Sequence, residues 1–210
     1  PGLDEEAQEV VSEIVADGGQ ATAIAADVSS YEDVENMVKT VVKQYGKVDI
    51  LVNNAAVYRS GLVHQINLAD WDLVINTALT GTFYCTRAVV PYMLENKYGR
   101  IINISSGSGL HGFQGDSIYS AAKAGIIGFT KALTKKLSKK GILSNVVVPG
   151  LIMTDLTAAL PPKSIETMKN MIPMRQLGTP ENVAKAVSFL ALNNDYISGD
   201  ILCVDGGLNC

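Results

Sequence analysis

Apolar positions along the chain follow two alternating rhythms. In residues 4–17 they fall at Ala7, Val10, Val11, Ile14 and Val15, which is helical spacing, and Gly18-Gly19 ends the pattern. Residues 21–26 form a short run of small apolar side chains closed by Asp27 and read as a strand. Ser30 with Asp33 has the look of a variant capping box and opens a helix to about Tyr45, where Gly46 stops it. Residues 48–52 (VDILV) predict a strand buried on both faces, as parallel sheets require. One long helix is expected over 68–96, a strand over 100–104, a helix over 118–139 and a strand over 144–148, closed by Pro149-Gly150. Residues 151–174 mix a short helix with Pro161-Pro162 and Pro173 and read as a mobile flap. Thr179-Pro180-Glu181 supplies an N-cap and a first-turn proline for a helix to Leu192, and 201–204 is the last strand. Strands alternating with helices of this length predict an α/β, doubly wound parallel sheet, and the absence of repeats or linker-like stretches predicts one domain over 1–210.

Composition narrows the classes. The 210 residues are 47% apolar and 18% charged, which excludes intrinsic disorder. Lys+Arg 17 against Asp+Glu 21 gives a formal charge of −4, without the basic excess of a nucleic-acid binder. No apolar run approaches the roughly 18 residues of a membrane span. The N-terminus has neither the basic nor the apolar region of a signal peptide, and it begins with Pro1 rather than Met. Cys85, Cys203 and Cys210 are odd in number and lack framework spacing, which fits reduced thiols and a cytoplasmic location. His64 and His111 form no metal-ligand cluster, so no metal is expected.

The chemistry concentrates at Ser106, Tyr119 and Lys123. Tyr119 and Lys123 lie four apart on an expected helix and share one face. An ammonium near a phenol favours the phenolate, so the Tyr119 pKa is expected below its usual value of about 10. Such a tyrosine can exchange a proton with a substrate hydroxyl or carbonyl. Ser106 follows a strand end, where open α/β sheets bind ligands, and its hydroxyl could bond the reacting oxygen.

The stretch GRIINISSGSGLHGFQGDSIYSAAKAGIIGF, residues 99–129, resembles the short-chain dehydrogenase/reductase family, in which a strand ends at a serine and a Tyr-x-x-x-Lys helix follows. The separation of 13 residues from Tyr119 favours Ser106 over Ser105. Further motifs come in the family's order. Asp27-Val28 resembles its adenine-contacting pair, and Asn53-Asn54-Ala55-Ala56 its NNAG motif beside the cofactor. Asn145 to Gly150 with Thr154 resembles its nicotinamide segment, and Asp205-Gly206-Gly207 its C-terminal DGG. The resemblance spans essentially the whole chain. It implies a Rossmann-like fold and hydride transfer between NAD or NADP and a carbonyl/alcohol pair, such as a 3-oxoacyl thioester, a sugar, a steroid or a simple ketone. Tyr119 would transfer the proton, Lys123 would hold a ribose hydroxyl and Ser106 would orient the substrate oxygen. The resemblance places the cofactor along Asp27, Val28, Asn53, Ala55, Tyr119, Lys123, Pro149, Gly150 and Thr154. The family pairs its two long helices between subunits, so a homo-oligomer, dimer or tetramer, is expected.

Two departures stand out. Ala78, in WDLVINTALTGTF, occupies the position of an asparagine that helps hold a water linking the lysine to solvent in the family. No G-x-x-x-G-x-G turn precedes Asp27. The expectation is a truncated dehydrogenase lacking its first two strands. The alternative is a non-catalytic paralogue that oligomerises or binds a ligand. Without those strands, the 21–26 run either pairs with 48–52 or stays unpaired. Around the site, Phe113, Leu151, Met153, Leu156, Leu160, Met168 and Met171 suggest an apolar substrate cavity, and His111 reads as a solvent-exposed loop residue.

Overall fold

The structure is a computed structural model that describes residues 2–154, 157 and 161–209, with side chains from residue 5 onward. The expectations for Leu156, Leu160 and Cys210 lie outside the described residues.

Four parallel strands form the sheet among the described residues: β1 (Ile50–Asn53), β2 (Gly99–Ile104), β3 (Ile142–Pro149) and β4 (Ile201–Val204), in that order. Register partners are Asn53 with Asn103, Ile104 with Val147, and Pro149 with Val204. The helices are α1 (Gly2–Ala16), α2 (Tyr31–Tyr45), α3 (Leu68–Val74), α4 (Gly81–Asn96), α5 (Gly107–His111), α6 (Ser117–Leu137), α7 (Pro162–Met171) and α8 (Pro180–Leu192). Alternation along β2 sorts the core into two layers. Ile101 packs with Val34 and Val38 of α2, Val89 and Met93 of α4, and Leu137 of α6. Ile102 and Ile104 face Leu190 and Ala191 of α8. Helices therefore cover both faces, and the sheet is doubly wound and Rossmann-like.

Caps fall where the side chains direct. Ser30 accepts from the Asp33 N–H, and Gly46 closes α2 at φ 81°. The Asp33 carboxylate reaches the Ser30 hydroxyl and the Asp27 N–H, so the box is a variant one. The Thr179 N–H donates to Asn182 Oδ1 at 2.8 Å, tying the entry of α8.

Three expectations need correction. Residues 21–26 form no ladder and stay unpaired. The VDILV strand begins at Ile50, and it is not buried on both faces. It borders only β2, and Val52 is 42% exposed. The long helix is broken by a π-turn, Ile75–Thr80, between α3 and α4. Such turns concentrate at functional sites. This one buries Ala78 against Val74, Ile118 and Ala122, with Tyr119 beside them.

Candidate active site

Because every pairing is parallel, all four strands end on one rim, at Asn53, Ile104, Pro149 and Val204. The two serines after β2 have different tasks. The Ser105 N–H extends the ladder to the Val147 carbonyl, and its hydroxyl donates to the Lys123 carbonyl at 2.9 Å. Ser105 thus fastens the strand to α6. Ser106 is the N-cap of α5, where its hydroxyl accepts from the Ser108 N–H at 3.2 Å. Gly109 lets α5 lie on α6, since a Cβ there would sit 2.7 Å from the Lys123 carbonyl carbon.

Tyr119 and Lys123 share one face of α6, with the Lys123 Nζ 5.5 Å from the Tyr119 ring centroid. Lys123 is 2% exposed. Its ammonium donates to the Ile104 carbonyl at 2.7 Å, and no carboxylate bonds to it among the described residues. Burial pulls its pKa down to about 8. The Tyr119 phenol is also shifted, but upward. Burial dominates, the Ser106 hydroxyl opposes it, and the charges of Asp116 and Tyr58 add to it. The expectation of a depressed tyrosine is therefore overturned for the resting enzyme. Desolvation disfavours the phenolate, and the Lys123 head is engaged by the Ile104 carbonyl.

The other expected cofactor residues fall into groups. Val28, Asn53 and Ala55 line one pocket of about 280 Å³ with Leu51, Asn54, Thr77 and Gly81. A Cβ at Gly81 would lie 2.8 Å from Val28, so the glycine admits Val28 to that wall. The Asn53 side chain is turned inward. It donates to Asn103 Oδ1 at 2.8 Å and to Thr86 at 3.3 Å, and Asn103 donates on to Thr130 at 2.8 Å. Asn53 therefore serves the pocket as a braced strand end. Asp27 faces a separate opening of about 710 Å³ beside Ala7 and Gln8. Its carboxylate accepts from the Ser29 N–H and hydroxyl, which holds its pKa low. At the far side of the rim, the Gly150 N–H bonds the Val204 carbonyl, and a Cβ there would lie 2.6 Å from Asp205. Thr154 is exposed, with its hydroxyl 3.2 Å from that of Thr157. His111 is exposed as expected, but it ends helix α5 rather than lying in a loop.

Sequence reasoning missed three residues. The Tyr58 hydroxyl donates to Asp116 Oδ1 at 2.7 Å, and the Ser108 hydroxyl donates to Asp116 Oδ2 at 3.2 Å. The Tyr58 ring meets the Tyr119 ring edge-on, with centroids 5.2 Å apart. An aspartate three residues before Tyr119 was the available signal, although nothing in the sequence pairs it with Tyr58.

A parallel sheet bearing a serine, a tyrosine and a buried lysine on its carboxyl rim is an arrangement that suits a dinucleotide-dependent oxidoreductase. The comparisons with known proteins agree. Residues 2–209 match the family model described as enoyl-(acyl carrier protein) reductase. A 3-oxoacyl-[acyl-carrier-protein] reductase of Synechocystis sp. is 45% identical over 204 residues, 96% of this chain and 81% of that protein. The (2S)-[(R)-hydroxy(phenyl)methyl]succinyl-CoA dehydrogenase subunit BbsD of Thauera aromatica is 41% identical over 204 residues, 97% of this chain and 82% of that protein. The solved structure of ElxO with NADP bound superposes with a TM-score of 0.83 at 36% identity, covering 87% of this chain and 75% of that one. The chain belongs to the short-chain dehydrogenase/reductase family, whose members are NAD(P)-dependent oxidoreductases. No helix among the described residues is long and apolar enough to cross a membrane.

Proposed function

We propose that this protein reduces the 3-carbonyl of a 3-oxoacyl thioester with NADH or NADPH, and that Ser106, Tyr119 and Lys123 carry the reaction. The observation that supports this best is the convergence of the three on one rim, with Tyr119 half-buried and its phenol shifted upward beside the Ser106 hydroxyl. A Tyr119 that holds its proton is suited to donate it to a carbonyl oxygen. The thioester assignment rests on relatives named for acyl-carrier and CoA substrates.

The residues present fit much of a dinucleotide. The pocket beside Val28, Asn53 and Ala55 is largely apolar with amide groups at its edge, as an adenosine half requires. Lys123 would hold a ribose hydroxyl, and the Pro149-Gly150 backbone would support the nicotinamide. Asp27 and Thr154 would complete the binding groove. The glycine turn that would grip the pyrophosphate is not among the 210 residues. When bound, the reduced nicotinamide supplies the hydride.

The chain's own residues handle the proton and the geometry. The Ser106 hydroxyl donates to the substrate oxygen and fixes its position. Tyr119 gives its proton to that oxygen as negative charge develops there. The Lys123 ammonium, 5.5 Å from the Tyr119 ring centroid, would stabilise the resulting phenolate. Proton return then passes through water, and Ala78 offers that path no side-chain hydrogen bond.

A homo-oligomer is part of the same proposal. An apolar groove of about 420 Å³ runs between α4 and α6, lined by Phe83, Val90, Phe129 and Leu133. Sedimentation at micromolar concentration should show a dimer or larger; a monomer would count against it.

The test is isotopic. Reduced cofactor carrying deuterium on the nicotinamide, incubated with a 3-oxoacyl thioester, should yield a 3-hydroxyacyl product with deuterium at C3. If neither NADH nor NADPH is bound or consumed, the enzyme reading fails and the non-catalytic alternative, motivated by Ala78, takes its place.

A further inference from the structure

The Tyr119 ring is bounded from several directions. It packs against the cluster of Val74, Ala78, Ile118 and Ala122. On its own helix the Lys123 Nζ lies 5.5 Å from the ring centroid. A further neighbour comes from a loop. Tyr58, in the stretch after β1, meets the Tyr119 ring edge-on, with centroids 5.2 Å apart and planes at 81°. An edge-to-face pair of this kind favours one mutual ring orientation.

A loop residue can set an angle only if it is itself fixed. Tyr58 is 52% exposed, so burial alone does little to hold it. Its hydroxyl is tethered instead, donating to Asp116 Oδ1 at 2.7 Å. Asp116 precedes α6 without capping it, and its second oxygen accepts from the Ser108 hydroxyl at 3.2 Å. The Arg59 guanidinium, paired with Asp70 of α3 at 3.4 Å, donates to the Tyr58 carbonyl at 2.9 Å. The Gly61 N–H bonds the Gly115 carbonyl at 2.8 Å. The loop after β1 is thus stitched to α3, to α5 and to the turn before α6.

We propose that Tyr58, tethered through its hydroxyl to Asp116, is a positioning residue that sets the angle of the Tyr119 ring for proton transfer to the substrate carbonyl. The proposal rests on the reading of Tyr119 as the proton donor and deepens it. Proton transfer needs the phenol O–H directed at the substrate oxygen, which the Ser106 hydroxyl would hold. Both partners trace back to α5. The Ser108 N–H donates to the Ser106 hydroxyl, while the Ser108 hydroxyl holds Asp116 and, through it, Tyr58. One short helix therefore sets the donor ring and the oxygen-holding serine in register. Misplacement by about 1 Å in such an arrangement can cost as much as 10²-fold in rate.

The first test reads the ring without turnover. In the full chain labelled with 3-fluorotyrosine, the fluorine resonance of Tyr119 is the one lost in Tyr119→Phe. Asp116→Leu keeps both rings and removes the acceptor, so this resonance should move or double. Asp116→Asn also removes the charge but keeps an acceptor for the Tyr58 hydroxyl, and the resonance should stay at its native position. A resonance unmoved in Asp116→Leu overturns the proposal. So does the same shift in both variants, which would mark the lost charge rather than the lost tether. The second test is kinetic, with NADPH or NADH and a 3-oxoacyl thioester. Tyr58→Ala should lower kcat by about tenfold or more, with KM changed by less than about twofold. Asp116→Leu should lose less, and Asp116→Asn should recover most of that loss. An unchanged kcat in Tyr58→Ala overturns the proposal, as does a raised KM at unchanged kcat, which would make Tyr58 a substrate contact. If Tyr119→Phe keeps native turnover, the reading of the donor itself fails. If Tyr119→Phe loses turnover while Tyr58→Ala keeps it, only the positioning role fails.

Discussion

The rim after β2 and the flank before β1 are built in opposite ways. At the rim, the Ser105 hydroxyl, the Lys123 ammonium and the Asp116 carboxylate each have a named partner, and α5 lies close enough to α6 that only glycine fits at 109. Before β1, residues 21–26 have no ladder partner, and Val10, Ile14 and Val15 of α1 are exposed. The half proposed to handle the proton is held by its own hydrogen bonds. The half that should meet the adenosine has its Val28 pocket but an unpaired strand edge beside it. The difference teaches that the arrangement of the proposed catalytic residues is local to β2, α5 and α6.

The largest effect should come from Tyr119→Phe, which keeps the half-buried ring and removes the proton. Turnover should fall by about 10²–10⁴-fold, with cofactor binding by fluorescence titration little changed. A comparable loss of binding would mean that the two halves are not separable.

Much of this was legible in the sequence. Four of the five expected strands and both sides of the doubly wound sheet follow from run lengths and turn residues. Ser106, Tyr119 and Lys123 could be proposed from the sequence because their spacing is fixed within contiguous segments. What escaped depended on neighbours that no local pattern encodes. Residues 21–26 have a strand's composition but join no ladder, and the burial of VDILV failed because, among the described residues, only β2 borders it. The upward shift of Tyr119 follows from desolvation, which residue spacing does not report. Asp116 and Tyr58 stand 58 residues apart and meet only through the fold.

The next effect concerns Lys123 and stability. Its pKa is lowered by burial to about 8 in the folded protein, against an ordinary lysine value of 10.5. Between those values the unfolded chain binds more protons, so stability should rise with pH, and below about pH 8 the buried charge costs about 3 kcal/mol. Denaturant melts between pH 8 and 9, below the ordinary phenol value of about 10, should show this rise in the native protein and lose it in Lys123→Met. An equal slope in both would place the titrating group elsewhere.

Smaller effects test the bracing. Asn103→Leu removes the acceptor for Asn53 and the donor to Thr130, leaving buried polar groups unpaired, and should cost about 1–3 kcal/mol in denaturant melts. Ala78→Asn inserts an amide among Val74, Ile118 and Ala122 and should also destabilise, by about 1–3 kcal/mol. If Ala78 limits proton return, the same variant should raise kcat with KM unchanged. Amide exchange should sharpen the contrast further, with residues 2–27 exchanging ahead of β2, β3 and α6.

The central claim is that Tyr119, set by the β2 rim, protonates a 3-carbonyl during hydride transfer. Single-turnover oxidation of NADPH or NADH by a 3-oxoacyl thioester tests it most directly, with the native protein beside Tyr119→Phe. The account predicts rapid formation of the 3-hydroxyacyl thioester by the native protein with at least one of the cofactors, and a loss of two or more orders of magnitude in the variant. Equal rates from both proteins, or no cofactor oxidation by the native one, would contradict it.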